Sequence, residues 1–221
     1  MKYFSSVLLA AIALTFPVAL QSSTLDDRVT ELALAGTPQA PILTHVRHYN
    51  KSICFDLPYA TSENLFGKKL YEQAECVVLD KVAVALANVQ QELSPYNLGI
   101  KVWDAYRPQS IEAEMVNLLE TDHYDKQIKF IGLHCRGTSV DVTLVSDQGM
   151  EILMPTGYDH FGEKSKRQYT DISEDAIFHR MLLEVVMRKH GFVPSEIVWW
   201  HFDYEGAALE EPLDLAFRDF S

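Results

Sequence analysis

Apolar residues at Leu79, Val82, Leu86, Val89 and Leu93 recur every three or four positions, the spacing of one helix face, and the run stops at SPYN. The pattern then switches to alternation. LGIKVWDAY (98–106) sends apolar and polar side chains to opposite faces, as a half-buried strand does. Pro108 suits the first turn of a second helix, with Ile111, Met115 and Leu118 along one side. SVDVTLV (139–145) reads as a strand from its β-branched residues and alternation. A third helix is predicted over 173–191: Ser173 can cap it, Glu174 and Asp175 sit early, Arg188, Lys189 and His190 sit late, and Gly191 stops it. Its expected inward stripe is Phe178, Met181, Leu182 and Val185. IVWWHFDY (197–204) is predicted to close the fold as a strand.

Between these elements the chain is irregular. Residues 51–75 are rich in Pro, Gly, Asn and Ser, and a long loop spans 146–171. A loop of that length is usually functional or disordered, and the aromatic MPTGYDHFG within it favours function. A short helix is expected at LDDRVTELALA (25–35), followed by a loop leading to a strand at PQAPILTHVRHY (38–49). Helices and strands alternate only loosely, with no repeat and no Gly-rich phosphate loop. The expected fold is α+β, a single domain with helices packed on a small, largely antiparallel sheet.

The first residues differ in kind. Lys2 precedes an apolar run, VLLAAIALTFPVAL (7–20), too short to span a bilayer comfortably and of signal-peptide length. The expected division is a leader at 1–22 and a folded domain at 23–221. Export, with the periplasm as destination and no membrane span once the leader is removed, is the corresponding expectation. A net charge of −12 argues against nucleic acid or an anionic membrane as partner. An oxidising compartment would permit one disulfide among Cys54, Cys76 and Cys135, with Cys54–Cys76 the favoured pair.

The candidate chemistry starts from HCRGTSVD. His134 opens it, Gly137 can bend it, and Asp141 falls inside the strand. A carboxylate buried in a strand is costly without a partner, and a cation would resolve that cost. With His201, set among aromatic residues, the chain has two imidazoles and one carboxylate. That set suits Zn²⁺ and leaves a fourth position for water. On spacing alone the alternative stands beside it: a chance His–Asp pair, and a core histidine hydrogen-bonded to backbone. HExxH is absent.

Five ordered motifs, DLPYATSENLFGKKLY, VWDAYRPQS, HCRGTSVDVTL, MPTGYDHFG and WWHFDY, together resemble the D-alanyl-D-alanine dipeptidases of the vancomycin-resistance type, zinc D,D-peptidases of α+β fold. The resemblance runs over about residues 50–206. It implies one zinc ion per chain on His134, Asp141 and His201, with Arg107 stabilising the oxyanion and Asp159 meeting the substrate's ammonium. The implied substrate is a small D,D-dipeptide, hydrolysed to free D-alanine in cell-wall peptide turnover. The reading of Arg107 from the sequence alone is a helix-entry ion pair with Asp104.

Two positions depart from the family pattern. The family's closing strand reads Glu-Trp-Trp-His, its Glu taking the proton from the zinc-bound water; here that residue is Val198. Gly132 stands where relatives often carry Ser. Glu196 is the nearest carboxylate, on the same face of an extended strand but about 6.6 Å along it. Two expectations follow. Either Glu196 serves as the base, or the chain is a weak or inactive relative that binds cell-wall fragments.

Overall fold

The computed structural model describes residues 43–119 and 131–220, which belong to one compact unit, Pro41–Ser221. The leader, the helix at 25–35 and the division at residue 22 lie outside the described residues.

Two strands carry the fold. β4 (Leu98–Asp104) and β5 (Ser139–Ser146) pair antiparallel, and all but the last residue of β5 are buried. That burial explains why β5 is so rich in β-branched residues. They form the middle of a five-stranded sheet in the order β2-β4-β5-β7-β6. β2 (Cys54–Phe55) runs parallel to β4; β7 (His201–Tyr204) and β6 (Phe192–Pro194) continue antiparallel. A separate antiparallel pair joins β1 (Leu43–His45) to β3 (Val77–Leu79). The α+β expectation holds, with β2 the one parallel member of the larger sheet.

Helix α1 (Asp80–Leu93) packs its predicted stripe on β4. Gln90 of this helix is buried because its Oε1 accepts the Ile100 amide at 2.9 Å, and the side chain lies where a Cβ on Gly99 would have to go. Helix α2 (Gln109–Leu118) buries Met115 as expected, but Leu119 at its end takes the inward position that Leu118 was predicted to hold. A single turn, α3 (Ile131–His134), leads into β5. Helix α4 (Glu174–Lys189) has the predicted cap, Ser173 Oγ accepting from the Ala176 amide at 3.2 Å.

The inward face of α4 corrects the prediction. Ala176, Arg180, Leu183, Val186 and Met187 are buried, whereas Phe178, Met181 and Val185 are 63%, 57% and 62% exposed. Both stripes have helical spacing. The inner one is disguised by Arg180, whose Nη1 donates to the Tyr169 carbonyl at 2.7 Å and so belongs inside.

The closing strand is also shorter than predicted. Only 201–204 is strand, and 195–200 runs as bends. The cause is Arg167, a buried residue from the long loop. Its Nε donates to the Ser195 carbonyl at 2.6 Å and its Nη2 to Trp199 at 2.8 Å and Val198 at 3.3 Å, while Nη1 pairs with Glu184 at 3.1 Å. Three carbonyls of this stretch are thus turned to one guanidinium rather than to a neighbouring strand. All three cysteines are free thiols, so the favoured Cys54–Cys76 bridge is not formed.

Candidate active site

Sheet register brings the first two residues together. Asp141 of β5 pairs with His201 of β7 on one side and with Asp104 of β4 on the other. His134 reaches the same point through a turn in which the Gly137 amide donates to the His134 carbonyl at 3.0 Å. Gly137 adopts φ +66°, and a Cβ there would meet Leu43 at 2.4 Å, so the turn requires glycine.

The three side chains are buried, at 2%, 5% and 1% exposure for His134, Asp141 and His201. One donor atom from each lies within 4.8 Å of the others. His134 Nδ1 sits 2.7 Å from the Ala105 carbonyl, which fixes its proton there and turns Nε2 inward, 3.6 Å from Asp141 Oδ2. His201 points Nδ1 at Asp141 Oδ1, 2.9 Å away, and Nε2 at Asp203 Oδ1, 3.1 Å away. Ser139 donates to the same Asp203 oxygen at 2.6 Å. Each imidazole thus has its outer nitrogen held by an oxygen and its inner nitrogen aimed at the centre, as metal-ligating histidines are commonly oriented.

Electrostatics agree with a cation-binding centre. Burial opposes the charge on Asp141, but the two imidazoles overcome it and hold the carboxyl well below its usual range. Burial likewise opposes charge on His201, yet the carboxylates of Asp141 and Asp203 raise it to about 9. The centre therefore attracts positive charge, and two nitrogens and a carboxylate form a donor set that zinc accepts.

The trio opens onto a cavity of about 60 Å³ that is also lined by Arg107, Asp159 and Val198. Arg107 is buried and pairs with Asp104 through Nη2, while its Nε lies 3.2 Å from the Tyr71 hydroxyl. The predicted ion pair and a place in the pocket therefore coexist. Burial disfavours the guanidinium charge, but Asp104 more than compensates and raises its pKa well above the ordinary value. Asp159 has φ +55°, uncommon for a residue with a side chain, and accepts a hydrogen bond from Tyr59 at 2.8 Å. Burial raises its carboxyl to about 7, against the opposing effect of that hydrogen bond. Phe66, Met115, Phe161 and Trp200 supply apolar wall.

Glu196 is not brought to this pocket. It is exposed, with Oε2 accepting from Gln168 at 3.0 Å, and Val198 occupies the wall instead. The same-face argument required 196–198 to be extended strand, and Arg167 prevents that.

Sequence reasoning missed Tyr158, whose hydroxyl donates to Asp141 Oδ2 at 2.9 Å and whose ring stacks on Trp103 with centroids 5.0 Å apart. Only its place beside Asp159 in an aromatic-rich loop hinted at it. Asp203, two residues after His201, was visible but unassigned. Cys135, adjoining His134, is a buried thiol outside the donor set.

A family model described as D-ala-D-ala dipeptidase matches residues 41–220, and the chain belongs to that family. It is 32% identical over 153 residues to the D-alanyl-D-alanine dipeptidase of Escherichia coli, covering 69% of this chain and 79% of that one. It is also similar to D-alanyl-D-alanine dipeptidases of Enterococcus faecalis, 27% identical over 76% of this chain and 91% of that one, and Streptomyces coelicolor, 26% identical over 76% and 92%.

Proposed function

We propose that this chain hydrolyses D-alanyl-D-alanine, or a related D,D-dipeptide, using one zinc ion held by His134 Nε2, Asp141 and His201 Nδ1. The observation that carries this reading is the convergence of those donors with Arg107 and Asp159 on one small cavity. When bound, zinc supplies an acidified water and a polarised carbonyl.

The chain's own residues supply the remainder. Asp159, when ionised, pairs with the free ammonium of the dipeptide and orients it. Arg107, pre-set by Asp104 and Tyr71, offers a permanent cation to the oxyanion that develops on the attacked carbonyl. Phe66, Met115, Phe161 and Trp200 exclude water around the substrate's methyl groups. Asp159 and Phe161 come from the long 146–171 loop, so that loop walls the site, which suits a small ligand better than a polymer. No membrane-crossing helix occurs among the described residues, and export of the mature chain remains part of the proposal, supported by the apolar run at 7–20.

A second reading rests on Val198. An apolar side chain in the pocket wall takes no proton, and Glu196 faces away. The chain on this reading holds dipeptides and turns them over slowly, since loss of a positioned base costs roughly 10²–10⁴-fold.

Release of D-alanine from D-alanyl-D-alanine, measured with zinc content, separates the two. Val198→Glu is expected to raise kcat by about 10²–10⁴-fold with zinc retained. Glu196→Gln should leave turnover unchanged, and His201→Ala should remove metal and activity together. A zinc-replete protein without turnover, wild type or Val198→Glu, would sink the hydrolytic reading. Fast wild-type turnover that Val198→Glu fails to improve would sink the weak-hydrolase reading.

A further inference from the structure

The stripe that α4 leaves outside bears on a separate question. Phe178, Met181 and Val185 are spaced by three and then four residues, the interval of an apolar coiled-coil seam. Half-buried Leu182 flanks them, and Leu153, 57% exposed, lies alongside, its carbonyl 2.9 Å from His179 Nδ1. Contiguous apolar side chains along one helix, on the side opposite the core, mark a contact surface.

We propose that this face binds a second copy of the chain, α4 against α4, antiparallel about a two-fold axis near Met181 and Leu182. The charge pattern selects this occupant. Exposed Glu174 and Asp175 stand at one end of the stripe, and exposed Arg188 and Lys189 at the other. Reversal about the axis sets Phe178 against Val185 and brings the acids of each copy to the bases of the other. An isologous interface demands such self-complementarity, and a parallel pair would set acid on acid. The helix ends reinforce it, because each positive N-terminus meets its partner's negative C-terminus.

Both bases already have partners within the chain. Arg188 Nε pairs with Glu184 and Lys189 Nζ with Glu92, each at 2.8 Å. Their side chains remain 50% and 63% exposed, and each keeps further N–H donors to share across the interface.

Sedimentation velocity over a concentration series tests this, with circular dichroism to verify folding. Wild type is expected to dimerise, and Met181→Glu or Val185→Glu to weaken the dimer about tenfold or more. These positions face outward, so the fold should survive the change. Doubly substituted Glu174→Lys/Asp175→Lys and Arg188→Glu/Lys189→Glu proteins should each associate poorly alone and recover association when mixed. A wild type that stays monomeric throughout overturns the proposal. So does a dimer that tolerates Met181→Glu, or folded charge-reversed partners that fail to recover association on mixing.

Discussion

On the proposed function, one side chain, Asp159, would carry substrate recognition and pH sensitivity together. Its backbone sits in the left-handed region, a conformation retained where the surroundings over-determine it, and its carboxyl is raised to about 7 by burial. The free enzyme would therefore hold a protonated, neutral Asp159 below about pH 7 and an ionised one above. Only the ionised form attracts an ammonium, so KM for the dipeptide is expected to rise as pH falls through 7. The acid limb should belong to KM more than to kcat. In Asp159→Asn it should vanish from KM, with affinity lower by roughly 10–100-fold, the worth of a charged hydrogen bond. Steady-state kinetics of both proteins from pH 5 to 8 would check it; an unchanged KM profile in the variant would remove Asp159 from substrate binding. The same shift affects stability. Between 3.8 and about 7 the folded chain keeps a proton that the unfolded chain has released, so this group's contribution to stability falls as pH rises through that window.

At this scale the sequence was informative where chemistry restricts residue type. A carboxylate inside a buried strand has few uses, which is why Asp141 stood out, and with it His134 and His201. Tyr158 and Asp203 were not legible, because a hydroxyl or a carboxylate becomes a support for a metal ligand only through tertiary placement.

Among the elements, the bends at 195–200 depend most on a single residue. Arg167 is buried, holds three of the segment's carbonyls, pairs with Glu184 and lies 4.8 Å over the Phe202 ring. Burial lowers its pKa to about 10, against the pull of Glu184, so it stays charged at neutral pH. Arg167→Ala should leave these carbonyls without their donor and Glu184 with Arg188 as its remaining partner, at about 3 kcal/mol for the charged hydrogen bonds lost. For a chain of this size that corresponds to a fall in Tm on the order of 10 °C, measurable by calorimetry. A loss under about 1 kcal/mol would show that water replaces the guanidinium. Pattern reading located the three long helices and the strands β4, β5 and β7, including the cap at Ser173, but not the short strands β2, β3 and β6. It failed at the inward face of α4 and at the start of β7, and both errors trace to an arginine directed inward. Arg180 made the true inner stripe look polar, and Arg167 diverted an apolar run that otherwise reads as strand.

The whole molecule meets at the sheet's centre, where β4, β5 and β7 place Asp104, Asp141 and His201 in register. A cation bound there would tie two strands to the turn that carries His134. Ligand binding to the folded state alone stabilises by about 2.7 kcal/mol at a hundredfold excess over Kd. Chelator should therefore lower the Tm of wild type by several degrees, and zinc should restore it. His201→Ala should melt at the same temperature with or without chelator. Equal melting of wild type under both conditions would mean that the centre holds no metal. The single-domain α+β architecture was readable because the helix and strand periods differ so plainly. The parallel placement of β2 was not, since two residues carry no period.

The way 195–200 is fastened has a consequence for how such a pocket changes over time. The main chain is held at 195, 198 and 199 through carbonyls that every residue type shares, even though Val198, Trp199 and Trp200 bury their side chains. Position 198 can thus exchange an acid for an aliphatic group while the scaffold around it stays put. If the proposed function holds, a single codon at 198 would convert a cutter into a holder, or back again, without disturbing the carbonyl contacts that hold the wall.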